Sequence, residues 1–144
     1  AKLIVNDRVD VCMAAKAHGV HLGHTDLDPV DARRLLGAPA IIGQSTHNLA
    51  QARAAESQGV VNYIGVGPVF PTPTKNNAEP ALGTSHLQVI CTEVSLPVVA
   101  IGGISLENCP KVRECGASAV AMISAVLSST SVRESATRAV KLCR

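Results

Sequence analysis

The chain has no tryptophan, one tyrosine and one phenylalanine among 144 residues. Its core must therefore be aliphatic, and it has no platform of rings on which nucleic-acid bases could stack. It also lacks an excess of either charge. Lys and Arg number 13 against 11 Asp and Glu, and the resulting +2 is too small and too dispersed to bind nucleic acid by charge. No apolar run approaches the roughly 18 residues of a membrane span, and no signal-peptide pattern opens the chain. The five cysteines, Cys12, Cys91, Cys109, Cys115 and Cys143, form no C-x-x-C and no close Cys/His pairing. An odd count without a secretory signal argues for reduced thiols in a cytoplasmic protein, and against a zinc site. No G-x-G-x-x-G opens a helix, which argues against a dinucleotide fold. Charged residues are 17% against 47% hydrophobic, which excludes a disordered tail and fits one domain over residues 1–144.

What the chain does contain is a repeating succession. Apolar runs at Leu3–Val5, Val20–Leu22, Ile41–Ile42, Tyr63–Val66, Val98–Ile101 and Ala119–Ile123 read as strands buried on both faces. Between and after them lie segments with helical spacing: Val9, Met13 and Ala17; Val30, Leu35 and Leu36; Leu49, Ala52 and Ala55; Leu87, Ile90 and Val94; Leu106, Val112 and Cys115; and Val132, Ala136, Ala139 and Val140. Asp28-Pro29 is an N-cap followed by proline at the first helical position, and Gly37 closes that helix. Ser105-x-Glu107-Asn108 reads as another helix start ended by Gly116, and Gly19 and Gly59 take the same closing place after their helices. Strand and helix alternating six times imply a parallel sheet, either a doubly wound open sheet or a (β/α)8 barrel. Polar residues follow nearly every strand, and only a barrel directs all strand ends to one mouth. Six strands do not close an eight-stranded barrel, so the expectation is a TIM barrel represented by about six C-terminal βα units, with two leading units absent.

The residues after the strands carry the chemistry. Tyr63–Val66 leads into Gly67-Pro68-Val69-Phe70-Pro71-Thr72-Pro73-Thr74-Lys75, a loop offering backbone N–H groups, hydroxyls and one ammonium, as a phosphorylated ligand requires. Gly102-Gly103 after the fifth strand marks a place where the backbone must come close to something, and the N–H groups around Ser124 suit a barrel phosphate site. Glycines after strands are also ordinary turn chemistry, but two such loops on successive strands favour a site. Asp7 and Asp26 each lie just past a strand; together they suit one hard divalent cation such as Mg²⁺, though each could equally cap a helix. Lys75 would neutralise phosphate oxygens as a point charge. His47 could be a general base or could cap the helix near Asn48; His18 and His21 read as structural, and His24 as a ligand contact.

Val5-Asn6-Asp7-Arg8-Val9-Asp10, Gly19-Val20-His21-Leu22-Gly23, Ser45-Thr46-His47, the Gly65–Lys75 segment and Val99–Ile104 together resemble the thiamine phosphate synthase family, in the right order across essentially the whole chain. The resemblance implies a Mg²⁺-dependent transferase of thiamine biosynthesis. Such an enzyme joins a pyrimidine methyl pyrophosphate to a thiazole phosphate and releases pyrophosphate. It implies that Asp7 and Asp26 hold Mg²⁺, that Asn6, Ser45 and Lys75 contact the pyrimidine pyrophosphate, and that Ser45 and Lys75 serve catalysis. Thr72, Pro73, Thr74, Gly103, Ile123 and Ser124 would cradle the thiazole phosphate. The implied partners are small phosphorylated molecules, with no nucleic acid and no membrane.

Two departures qualify the resemblance. His24 stands where the family usually has Gln, and the family's Gln-x-Arg-x-Lys strand is absent. The expectation is therefore of an N-terminally truncated piece whose outer strands, at Lys2 and near Ile123, invite self-association. Rival readings are the related thiazole tautomerase, which needs no Mg²⁺ pair, and a non-catalytic phosphate-ligand-binding remnant. Retention of Asp7, Asp26 and Asn6 favours the synthase.

Overall fold

The computed structural model describes residues 1–72 and 80–143. Six strands, β1 (Ile4–Asn6), β2 (Gly19–Leu22), β3 (Ile41–Thr46), β4 (Tyr63–Val66), β5 (Val98–Ala100) and β6 (Ala119–Val120), lie side by side in chain order, each parallel to its neighbours. Between consecutive strands run α1 (Val9–Ala14), α2 (Pro29–Leu36), α3 (Leu49–Gln58), α4 (Gly83–Glu93) and α5 (Cys109–Glu114); α6 (Ser124–Leu127) and α7 (Val132–Leu142) follow β6. A doubly wound sheet would reverse its strand order partway. This order never reverses, and the six strands form a curled wall of the expected barrel.

The strand residues divide by period two. Val20, Leu22, Ile42, Ile64, Val66, Val98 and Ala100 are buried in one cluster with the helix residues Val9, Cys12, Ala32, Ala52, Ala55, Leu87, Ile90 and Val112. The alternate residues, Gly19, His21, Gly43, Ser45, Tyr63 and Gly65, face the other way, to the concave side. Burying a Val or Leu side chain between sheet and helices contributes about 1.5–3 kcal/mol, so this single layer supplies most of the driving force.

Two expected helix faces differ in the residue that is buried. Met13 is 50% exposed and Cys12 fills its place; Leu35 is 56% exposed and Ala32 packs instead. Helices of six and eight residues are too short for periodicity to fix their phase, and the small side chain fits closest to the sheet. α7 buries none of its residues, and Val132 and Val140 are largely exposed. α5 begins at Cys109, because Ser105 Oγ first closes a turn by accepting the N–H groups of Glu107 and Asn108 at 3.2 and 3.3 Å. Gly19 ends no helix. It is the first residue of β2, where a Cβ would stand 1.9 Å from the Ile41 carbonyl oxygen. The cap of α2 follows expectation, with Asp28 accepting from the Val30 N–H, and Gly37 and Gly59 close their helices at positive φ as expected; the α3 cap is Asn48, which accepts from the Gln51 N–H, and not His47.

One long side chain holds the opposite edge of the sheet together. Arg33, on α2, donates to the carbonyls of Gly37, Ala38, Ala40 and Val60 and to Asn62 Oδ1, at 2.7 to 3.2 Å. Asn62 Oδ1 also accepts the Ile42 N–H at 2.8 Å, so the guanidinium ties α2 to the approaches of β3 and β4. Arg33→Ala strands several half-buried carbonyls. It should lower unfolding free energy in urea by about 2–4 kcal/mol, whereas Arg34→Ala, on an exposed i,i+3 pair with Asp31, should change it by less than about 0.5 kcal/mol. Equal losses in the two variants would remove the clamp from the account.

Candidate active site

Because all six strands run parallel, the residues that follow them collect on one edge. Asp7 follows β1 directly, and Asp26 closes the turn after β2. His47 stands after β3, Gly67–Thr72 after β4, Gly102-Gly103 after β5, and Ile123 and Ser124 after β6. Asp7 and Asp26 are thus at the same end of neighbouring strands.

Asp7 has φ 65, an uncommon conformation that Asp tolerates better than most residues, and its N–H is bonded to the His21 carbonyl at 2.8 Å. The β1–β2 ladder therefore continues one step past β1 and fixes where the Asp7 backbone turns. Asp26 Oδ2 accepts the Gly23 N–H at 2.7 Å, tightening the turn after β2 and leaving Oδ1 for another partner. Asp28, not Asp26, is the helix cap. Two carboxylates are a hard-oxygen donor set suited to a Mg²⁺ ion that keeps most of its shell as water and phosphate. Among the described residues no group of three His, Cys, Asp or Glu side chains assembles around a metal position, so no transition-metal cage competes with that chemistry.

The concave face carries a network centred on His21, which sequence reading assigned to structure alone. His21 is hydrogen-bonded through Nδ1 to Tyr63 Oη and through Nε2 to Ser45 Oγ, both at 3.0 Å, and its ring stacks on Tyr63 at 5.5 Å between centroids. Strand register creates this arrangement: His21 pairs with Gly43 and Gly43 with Tyr63. A Cβ on Gly43 would lie 2.1 Å from the Tyr63 ring, and one on Gly65 would lie 2.9 Å from His21. The glycines clear the space in which the rings hold Ser45. Burial raises the Tyr63 pKa, keeping its phenol protonated. The one usable signal in the sequence was the period-two spacing of Gly43 and Ser45 on β3 and of Tyr63 and Gly65 on β4, which places polar and small residues on a single face.

His47 does not cap α3; Asn48 does. The His47 Nδ1–H donates to the Gly67 carbonyl at 2.6 Å, and the His24 ring lies 5.4 Å away between centroids. A cavity of about 320 Å³ opens here, lined by His47, Asn48, Gln51, Pro80, Ala81, Leu82 and His86.

What Gly102 and Gly103 approach is the loop after β4. A Cβ on Gly102 would stand 2.5 Å from Pro68 Cβ, and one on Gly103 2.7 Å from the carbonyl oxygens of Phe70 and Pro71. Both glycines are at positive φ, 85 and 65. Val69 and Phe70 donate to the carbonyls of Ile101 and Gly102 at 2.9 and 3.1 Å, extending the ladder past β4 and β5. Asn108 Nδ2 donates to the Gly103 carbonyl at 3.0 Å while its Oδ1 accepts the Ser105 N–H at 2.8 Å, fixing the turn from below. Thr72 is half-buried at the far end of this seated loop. Pro73, Thr74 and Lys75 lie outside the described residues. Asn6, after its pairing with His21, is exposed, as is Ser124 at the start of α6; Ile123 is 58% exposed.

A sequential parallel wall with helices on one face and its polar turns gathered at the strands' carboxyl edge defines a TIM-barrel protein with its candidate site at the usual mouth. A profile of the thiamine monophosphate synthase family matches residues 1–126, and the chain belongs to that family. It is 50% identical over 129 residues to a thiamine-phosphate synthase of Synechococcus sp. (strain WH7803), covering 90% of this chain and 36% of that protein. It is 47% identical over 140 residues to one of Chlorobium phaeobacteroides, covering 97% and 67%. The solved structure of a thiamine phosphate pyrophosphorylase from Pyrococcus furiosus superposes with a TM-score of 0.89 at 38% identity, covering 99% of this chain and 67% of that one. The chain thus spans between about a third and two thirds of the length of these relatives.

The packing of the two glycines gives a direct expectation. Gly103→Ala combines a strained φ with collision against two backbone carbonyls, and should cost about 2–4 kcal/mol in chemical denaturation. Gly59→Ala has a similar φ but nothing within 4 Å, and should cost only about 1–2 kcal/mol. Indistinguishable losses would mean that the loop after β4 yields to a Cβ and is not seated as described.

Proposed function

We propose that the protein of which this chain is part is a thiamine phosphate synthase, joining a pyrimidine methyl pyrophosphate to a thiazole phosphate with release of pyrophosphate. The observation carrying this reading is the carboxyl edge itself. There Asp7 and Asp26 follow neighbouring strands and the loop after β4 is seated on two glycines, with Ser45 held by His21 on the adjoining concave face, in a chain 50% identical over 129 residues to a named synthase.

The chemistry asked of the site is displacement at a benzylic-type carbon. Pyrophosphate leaves, a pyrimidine-methyl cation develops, and the thiazole nitrogen takes the carbon. This requires positioning and charge stabilisation more than proton transfer. Asn6 and Ser45 would orient the pyrimidine pyrophosphate. Ser45 is suited to this because His21 fixes its hydroxyl on the concave face. Asp7 and Asp26 would hold Mg²⁺, which supplies charge neutralisation to the departing pyrophosphate. Lys75 would add a second positive charge there, and Thr72, Pro73, Thr74, Gly103, Ile123 and Ser124 would receive the thiazole phosphate. His24 would contact the same ligands. No proton acceptor is needed, so His47 is left to shape the mouth through its bond to Gly67. Among the described residues no helix is long and apolar enough to cross a membrane. Cytoplasmic residence belongs to the same proposal.

The test is turnover of the full-length gene product with both substrates, read as thiamine phosphate formed. Asp7→Asn should lower kcat by about 100-fold or more and raise the Mg²⁺ concentration giving half-maximal rate. Normal turnover with unchanged Mg²⁺ dependence would remove Asp7 from the metal site. Wild-type protein that binds thiazole phosphate but forms no product would overturn the synthase reading.

A further inference from the structure

The sulfurs of Cys109 and Cys143 lie 2.9 Å apart, in hydrogen-bond contact. Cys109 is the first residue of α5 and has no exposed surface; Cys143 closes α7 and is half-buried. The two come from elements 34 residues apart in the chain, so their meeting is a tertiary contact and not an accident of one helix. A disulfide bond of about 2.05 Å asks the sulfurs to approach by only about 0.9 Å. Two of the remaining thiols are hydrogen-bonded elsewhere. Cys12 donates to the Gly19 carbonyl at 3.2 Å, and Cys115 to the carbonyls of Lys111 and Thr84 at 3.1 and 3.5 Å.

We propose that Cys109 and Cys143 are a thiol-oxidation site, closed to an intramolecular disulfide by exchange with a small-molecule disulfide such as oxidised glutathione. Accessibility sets the order of events. The Cys143 thiolate attacks one sulfur of the small disulfide, forming a mixed disulfide and releasing one small thiol. Cys109, having lost its proton, then attacks the Cys143 sulfur, forming the protein disulfide and releasing a second small thiol. Two protein thiols are oxidised and one small disulfide is reduced to two thiols, which carry away the two protons. Burial pushes the Cys109 thiol pKa up, so the second step is the slow one and speeds up with rising pH.

The bond would matter because of where it falls. α7 buries none of its residues and leaves Val132, Val140 and Leu142 exposed, so little else anchors it. Joining its end to the start of α5 closes a loop that contains β6, α6, Ile123 and Ser124. Oxidation should thus stiffen the segment carrying part of the candidate site, and it stands independently of the synthase reading because no substrate enters the test.

The experiment uses the full chain, incubated with excess oxidised glutathione, alkylated and digested without reduction. The expected result is a cross-linked peptide joining Cys109 to Cys143, with Cys12, Cys91 and Cys115 recovered alkylated. The oxidised protein should also melt roughly 10 °C higher than the reduced protein. Cys143→Ser should give no cross-link and no shift in melting temperature on the same treatment. Alkylation of both Cys109 and Cys143 after oxidation, glutathione retained on Cys143 without exchange, or a Cys91–Cys115 link in place of the predicted one would each overturn the proposal.

Discussion

The parallel hydrogen-bond ladder is the constraint on which everything else rests. Parallel strands cannot be joined by tight turns, so each connection must cross back over the sheet, and here each crossing from β1 to β6 contains a helix. With strand order never reversing, the helices share one face and leave the other concave. The same single direction brings the turns after β1 to β6 to one edge, although they are spread over almost the whole sequence. Register then does the fine positioning. Asn6 stands beside His21, His21 beside Gly43, and Gly43 beside Tyr63. A slip of one residue would turn His21, Ser45 and Tyr63 toward the helices and the aliphatics toward the mouth.

Small residues make the ladder habitable. Gly43 and Gly65 give up side chains so that Tyr63 and His21 can lie across the strands, and Gly67, Gly102 and Gly103 let two loops pack backbone to backbone. The opposite edge is held by different means: Arg33 gathers carbonyls from loops that have no ladder to satisfy them. The two edges divide the work. One is locked by a cation satisfying carbonyls, and the other collects the turns that follow the strands. Exposed ion pairs add little. Asp10 is drawn down to about 2 by its hydrogen bond to Arg8, but both groups are solvated.

Much of this was legible in the residues. The Val/Ile runs announced the strands, and Asp28-Pro29, Gly37 and Gly59 announced helix ends, because caps and left-handed turns are local chemistry. Polar residues at every strand end pointed to a barrel mouth before any contact was known. What could not be read was set by long-range geometry. The choice of Cys12 over Met13 and Ala32 over Leu35 depends on how near each helix approaches the sheet. His21 looked structural because its partners are 24 and 42 residues away, and only register brings them together. Gly103 read as a place of close approach, but not that Phe70 and Pro71 are what approach it. Arg33 sits among charged residues on a short helix, where a solvated side chain is the natural reading.

The central claim is that one edge of the sheet, the edge where the strands end, is the ligand-binding surface. Amide chemical shifts recorded while thiazole phosphate is titrated into the full-length protein test it most directly. The account predicts that shifts concentrate at Thr72, Gly102, Gly103 and Ser124, with Ala17, His18, Ala40 and Asn62 at the opposite edge unmoved. Shifts confined to the Arg33 edge, or scattered without preference between the two edges, would contradict it.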